Sequence, residues 1–212
     1  MRAVFALLLL LLLVPTSVLA QNGRLDLKIG ASFTTLSGES ESTFSGRSAM
    51  TAGVGYRYTL RGAIHVQPEL VYIVKGANAE SPTRIDDDGN ILLPIDARFD
   101  LTYLEMPLLL VFERDGSGAV HPRFEIGPSI AYKLESIIHY GVKNSDQRFS
   151  EKDQSVETVD YGLVAGLGMT FDMGIERIRV GVRAHLGFAN ARQRDDLPLY
   201  NRGIVAYLGI AL

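Results

Sequence analysis

The sequence contains no cysteine. In a chain that carries an export signal, this excludes disulfides, thiolate metal sites and cysteine nucleophiles, and leaves packing and hydrogen bonding to hold the fold. There is no surplus of positive charge either: 21 basic residues face 24 acidic ones, a net charge of −3. That balance gives no support to nucleic-acid binding. After residue 20 no apolar run is long enough for a transmembrane helix, which needs about 20 residues. Hydropathy alone would describe a soluble secreted protein, but it is nearly blind to transmembrane β-strands, whose signal per segment is weak.

The opening stretch, MRAVFALLLLLLLVPTSVLA, has a basic Arg2, an apolar run from Ala3 to Val14, a Pro-Thr-Ser break and small residues ending in Ala20. This is the layout of a secretory signal peptide, with cleavage expected after Ala20. Residues 1–20 are therefore set aside, and residues 21–212 are read as one domain.

Eight segments of the remainder alternate with period 2, the period of a β-strand. They cover 24–34, 49–60, 63–75, 99–112, 122–134, 158–171, 176–188 and 202–212. Each is as long as a tilted strand needs to cross a membrane, or slightly longer. Short turns at Arg61-Gly62, around Asp115–Gly118 and at Asp172–Ile175 alternate with longer polar stretches at about 35–48, 76–98, 135–157 and 189–201. Short turns at one end and long loops at the other characterise outer-membrane barrels, with the long loops outside the cell.

The aromatics sharpen this reading. On the apolar faces Phe33, Tyr72, Tyr132, Tyr161 and Phe188 fall near the ends leading into long loops. Tyr56, Tyr58, Phe112, Phe124 and Phe171 fall near the short turns. Tyr161 and Phe171 are ten residues apart, roughly 33 Å along a strand and about 25 Å at a tilt of about 40°, the height of a lipid-facing band. A soluble ligand-binding barrel would turn its apolar faces inward and has no reason for two aromatic belts. The expected fold is all-β: an eight-stranded antiparallel transmembrane up-and-down β-barrel. The expected location is the outer membrane of a Gram-negative bacterium, with outer-membrane lipids as surroundings and a monomer as the unit.

The opposite faces collect Asp26, Lys28, Arg57, His65, Gln67, Glu69, Glu105, Arg123, Glu125, Lys133, Asp160, Arg177, Arg179, Arg183 and His185. If the apolar faces meet lipid, these side chains point into a barrel only wide enough for side chains to fill. Unpaired charges there are costly, so they are expected to form an ion-paired network that closes the lumen. Glu69, Glu105, Glu125 and Asp160 are the carboxylates expected to answer Arg177, Arg179 and Arg183, with Arg57, Arg123 and His185 in the same network. An ion pathway or a ligand pocket is the alternative use of the same residues.

No chemistry-bearing spacing emerges. The four histidines, His65, His121, His139 and His185, show no Ser-His-acid or metal-ligand pattern, so no enzyme, cofactor or metal site is expected. DDDGNI at 86–91 matches the middle of a calcium loop, but Arg84 and Ile95 stand where the first and the closing carboxylates belong. It reads better as an Asp-Gly turn in an external loop.

The stretches QPELVYIVKG (67–76), YLEMPLLL (103–110) and FEIGPSIAY (124–132), with KIGASF at 28–33 and GLVAGLGMTF at 162–171, resemble the PorT-like outer-membrane β-barrel family. The resemblance covers essentially the whole exported chain and concerns barrel construction. It implies an integral outer-membrane barrel, and a named member of the family is associated with protein secretion. Envelope or secretion proteins are accordingly candidate partners, beside a structural or interaction role for the external loops. Pro68, Pro107 and Pro128 within these stretches remove ladder donors and are expected at bulges or irregularities. Leu212 ends the chain where outer-membrane barrels often carry an aromatic residue.

Overall fold

The computed structural model describes residues 23–38, 43–81, 84–85, 91–92, 95–114, 118–142, 148–174, 176–191 and 198–212. The expected signal peptide lies outside them, as do residues 86–90 of the acidic stretch. Eight long strands dominate: β1 (Gly23–Gly38), β2 (Arg47–Arg61), β3 (Ile64–Ser81), β4 (Ile95–Glu113), β5 (Val120–Val142), β6 (Val159–Met173), β7 (Glu176–Gly187) and β8 (Leu199–Ala211). Each pairs antiparallel with its sequence neighbours. The ladder from Asp26↔Ala211 to Gly38↔Leu199 then joins β1 to β8, so the meander closes into a barrel with no free edge in the wall.

Alternation sets the two faces. Along β1, Asp26, Lys28, Ser32 and Thr34 are buried while Leu25, Leu27, Ile29 and Phe33 are exposed. The same inversion runs through β7, where Arg179, Arg183 and His185 are buried and Val180, Val182 and Leu186 are exposed. A water-soluble fold would hide these aliphatic side chains; a lipid-embedded barrel displays them.

The turns are tight where the sequence is short. Gly62 turns the chain from β2 to β3 with φ 53°, a conformation that costs little only for glycine. Inside the wall, Gly181 answers a different need. A Cβ there would lie 2.6 Å from the Tyr207 hydroxyl, so its absence lets that ring lie across the lumen.

Two departures from simple alternation appear. The register shifts between Thr59 and Arg61, and again where Thr102 pairs with Glu135 but Tyr103 pairs with Lys133, leaving Leu134 as an extra residue. Such a bulge reverses the face assignment beyond it, which is why Ser136 is buried while Glu135 is exposed. Neither shift falls at a proline. The β3–β4 register is the same at Pro68↔Leu108 and at Val71↔Glu105, and the β4–β5 register is the same at Pro107↔Ser129 and at Leu110↔Ile126. The prolines therefore interrupt bonding locally without displacing the ladder.

The strands also run further at the loop end than the alternation suggests. β3, β4 and β5 continue together to Ser81, Ile95 and Val142. Thr43–Ser45 adds to β3 on one side and Arg148–Lys152 to β5 on the other. A separate ladder pairs Arg84–Ile85 with Ile91–Leu92.

A closed barrel of this kind resists detergent until it is heated. An unboiled sample is expected to migrate differently from a boiled one in gel electrophoresis; identical mobility of the two would contradict closure.

Candidate functional site: the ion-paired lumen

The lumen is filled from the turn end upward. Nearest the turns, Arg177 reaches Asp172 at 2.7 Å, and Asp172 also meets His121 Nε2 at 3.0 Å. Above them lies Glu113, wholly buried. It accepts from Arg57, from Arg123 Nη1 at 3.0 Å and from the Thr170 hydroxyl at 2.9 Å, with Arg177 at 3.6 Å and Arg179 at 3.8 Å. Three strands thus direct cations at the last residue of β4.

The next level joins Asp26, Gln67, Arg123, Glu125 and Arg179. Arg179 is the largest fully buried side chain and contacts Asp26 at 2.5 Å. Gln67 serves as a bridge: its amide nitrogen donates to Asp26 at 3.0 Å and to Glu69 at 2.6 Å, while its oxygen accepts from Arg123 at 2.8 Å. Arg123 Nε donates to Glu125 at 2.9 Å.

Arg183 dominates the level above. It donates to both oxygens of Glu69, at 2.6 and 2.9 Å, and through Nε to Glu125. This is the bidentate geometry that a planar guanidinium favours. Lys28 also binds Glu69, and the Tyr207 hydroxyl donates to Glu125 at 3.2 Å. The Tyr207 ring lies under both cations, 4.9 Å from Lys28 Nζ and 4.7 Å from the Arg183 guanidinium carbon.

A second, smaller cluster lies toward the loop end. Lys75 sits 3.2 Å from Glu105 and 3.1 Å from Asp160, His185 Nδ1 is 3.3 Å from Glu105, and Asn201 donates to Asp160 at 3.1 Å. Against it packs an apolar layer of Ile73, Leu101, Tyr103, Ala131 and Val205. Val156, from the connection between Arg148–Lys152 and β6, inserts its side chain into that layer. Its segment is tied down by Lys133, which donates from Nζ to the Val156 carbonyl and from its backbone nitrogen to the Thr158 carbonyl at 2.8 Å. Further bonds run from Asp153 to Ser136 and from Glu157 to Ala191, each 3.0 Å. The connection is a strap across the mouth.

The structure therefore places Arg57, Glu69, Glu105, Arg123, Glu125, Asp160, Arg177, Arg179, Arg183 and His185 on the inner side, but distributes the partners differently from the expectation. Arg183 meets Glu69 and Glu125, both named in advance. Arg179 instead meets Asp26, and Arg177 meets Asp172 with Glu113. Glu105 and Asp160 belong to Lys75 and His185, because the β7 register puts His185, not an arginine, at their height. Glu113, Lys75, Tyr103 and Tyr207 were missed. The signal for Glu113 and Lys75 was available: each continues the inward parity of its strand.

The ten aromatics named for the belts lie on the outer faces, at the expected ends of their strands. Tyr72 and Tyr132 share a rung through Leu104. At the turn end the rings of Phe112 and Phe124 are 6.1 Å apart. Among the described residues, no group of three or more His, Cys, Asp or Glu is arranged to hold a metal ion.

A closed eight-stranded barrel with aliphatic side chains outside and ion pairs within defines a small integral membrane barrel. The chain belongs to the outer membrane protein beta-barrel domain family, whose model matches residues 19–192. Its place is the outer membrane of a Gram-negative cell. Among solved structures it is similar to OprG from Pseudomonas aeruginosa, with a TM-score of 0.49 at 11% identity over 90% of this chain and 96% of that one. It is also similar to Neisserial surface protein A, with 0.45 at 10% identity over 88% and 96%. For Ail, the attachment invasion locus protein of Yersinia pestis, the values are 0.40 and 14% over 89% and 99%. No curated protein matches the sequence.

Proposed function

We propose that this is a closed, non-conducting, non-enzymatic barrel that holds its loop end at the cell surface for a structural or interaction role. One observation carries the reading: the lumen is filled by charges that neutralise one another. Seven basic side chains (Lys28, Arg57, Lys75, Arg123, Arg177, Arg179, Arg183) meet seven carboxylates (Asp26, Glu69, Glu105, Glu113, Glu125, Asp160, Asp172). Rings of unpaired charge of one sign are one way to line an ion pore; these charges instead pair across the lumen and occupy it. Here the strap at Val156 closes the column from above. The two aromatic belts anchor a monomer at the lipid interfaces, with the long loops outside.

The test is conductance in planar bilayers. Wild-type protein is expected to give no stable channels, and large steady openings would overturn the reading. Val156→Asp, which breaks the apolar layer but leaves the lower ion pairs, is expected to remain non-conducting because the plug below it is intact.

A second reading, a component of protein secretion, rests on the resemblance to PorT-like barrels. The three stretches that carry it place Glu69, Glu105 and Glu125 in the lumen, so they bear on the plug before they bear on any partner. Deleting the gene and comparing secreted and surface proteomes tests it: loss of a defined set of exported proteins supports it, and an unchanged export profile removes it.

A further inference from the structure

Above the loop-end belt the wall continues on one side as a projecting sheet. β3, β4 and β5 carry on together, and two short strands flank them, Thr43–Ser45 on β3 and Arg148–Lys152 on β5. Among the described residues no strand pairs with the far side of Arg148–Lys152, and all five of its residues are exposed. A closed barrel has no edges. This extension creates one, on the side that carries the long loops.

The backbone phase of this edge is fixed. Asp153 donates from its backbone nitrogen to the Ser136 carbonyl at 3.0 Å, and the register runs unshifted from Ile137↔Lys152 to Gly141↔Arg148. Successive residues of an antiparallel ladder alternate in direction. Phe149 and Glu151 therefore bond to β5, while Arg148, Ser150 and Lys152 turn their N–H and C=O groups outward. The side chains alternate too. Phe149, 62% exposed, ends a rung that crosses the sheet through Phe44, Ala79, Ala97 and Tyr140. On the opposite face Lys152 pairs with Glu135 at 3.5 Å, and the Ser150 hydroxyl lies 2.8 Å from His139 Nδ1. Arg148 is exposed and has no ion partner among the described residues.

We propose that Arg148–Lys152 accepts an extended segment of another protein as the next strand of this sheet. The segment carries a carboxylate to meet Arg148 and an apolar or aromatic side chain to lie beside Phe149. In strand addition the main-chain bonds supply affinity and the alternate side chains supply choice. Charges on an edge ordinarily turn further strands away. Here Lys152 is already answered by Glu135, so the selecting charge is that of Arg148, which opposes a cationic strand and admits an acidic one. A second copy in the same membrane does not fit. Its strand rises in the same direction, so two like edges meet with identical groups at equal height, or cross because each strand is tilted by about 35–45°. Neither arrangement forms a ladder. The inference rests on the reading of the loop end as an interaction surface, and it names the chemistry of the partner.

The test uses the exported chain, residues 21–212, folded in lipid nanodiscs. The probe is a short synthetic peptide with a glutamate placed to face Arg148, a tyrosine placed beside Phe149 and threonines elsewhere. At millimolar peptide, hydrogen exchange at the Arg148, Ser150 and Lys152 amides is expected to slow roughly tenfold or more, while the Phe149 and Glu151 amides, already bonded to β5, change little. N-methylating the peptide residues that face the edge should abolish the effect. Ser150→Pro removes the central outward donor and no bond to β5, a place where an edge strand tolerates proline. It should weaken binding roughly tenfold or more while preserving the heat-dependent gel shift. Arg148→Glu should weaken binding about three- to tenfold, as one exposed ion pair turns from attraction to repulsion, and a peptide with lysine in place of the glutamate should recover the loss. Exchange unchanged by the peptide, slowed equally by the N-methylated peptide, or unaffected by Ser150→Pro overturns the proposal. So does slow exchange at the three outward amides before peptide is added, which would mean that a second copy or another segment of this chain already holds the edge. The lumen is plugged with or without this strand, so a failed peptide result leaves the closed-lumen reading standing. A conducting wild type overturns that reading whatever the peptide shows.

Discussion

Glu113→Ala is expected to destabilise the barrel by about 3–5 kcal/mol, the range for removing one partner of a buried charge cluster. Glu113 is wholly buried and accepts from Arg57, Arg123 and Thr170, with Arg177 and Arg179 within 4 Å. Among the described residues no other carboxylate lies within ion-pair distance of Arg57, so the truncation strands that guanidinium in the lumen and weakens the hold on Arg123. Glu113→Gln keeps the shape and one acceptor and is expected to cost less. The measurement is urea-induced unfolding from lipid vesicles. Lys152→Ala provides the contrast: its pair with Glu135 joins side chains 78% and 46% exposed, and such surface pairs contribute at most about 1 kcal/mol. A Glu113→Ala variant as stable as Lys152→Ala would show that water enters the lower lumen and solvates the stranded arginine.

The network is costly in isolation, because each charge gives up hydration to enter the barrel. Its value lies in register. A one-residue slip of β7 would send Arg179 and Arg183 into lipid and Val180 and Val182 against Glu113, Glu125 and Glu69. Apolar packing alone would penalise that slip weakly, since lipid accepts aliphatic side chains at any height. The Arg183 fork on Glu69 and Glu125 accepts one register only.

The same periodicity explains what was legible in the sequence. Alternation depends on residue type alone, so the eight strands, their faces and the two belts follow from a single pass along the chain. Closure follows from even strand number and alternating loop length. Ion pairing does not, because it depends on the relative height of strands far apart in sequence. Arg179 finds Asp26 because β7 and β1 flank β8 in a closed wall, and nothing local announces their stagger. Glu113 was lost at a segment boundary, since it sits beside the turn where polar residues are ordinarily exposed. The bulge at Leu134 is equally silent in the sequence, and it reverses the inner face of β5 from Ser136 onward. Inward apolar residues such as Leu101, Leu109 and Val111 broke the equation of apolar with outside. They fill space beside the polar groups of the same rungs, Leu101 next to Lys75, Leu109 next to Gln67 and Val111 next to Glu125. Val156 lies in a connection with no periodicity to read, and only the tertiary structure shows that it enters the lumen.

Val182→Arg is expected to cost about 2–4 kcal/mol, the penalty for an arginine on the lipid face near the bilayer midplane. Val182 is 52% exposed on the outer face and pairs with Leu167 and Ala206, which face the same way. It lies between the belts marked on this side by Phe188 and by Phe171, the partner of Ile178. The guanidinium cannot turn inward, because the strand's next residue already commits Arg183 to the lumen. Depth provides the control. Tyr58→Arg, at the turn-end belt, is expected to cost about 0–1 kcal/mol, since the penalty falls away near the interface. Equilibrium folding into vesicles of defined lipid measures both on one scale. Equal costs at the two positions would mean that Val182 does not face hydrocarbon, and the assignment of faces would fail with it. A large cost at Val182 and a small one at Tyr58 would establish in solution the inversion seen in "RIRVGVRAHLGF": valines toward lipid, arginines within.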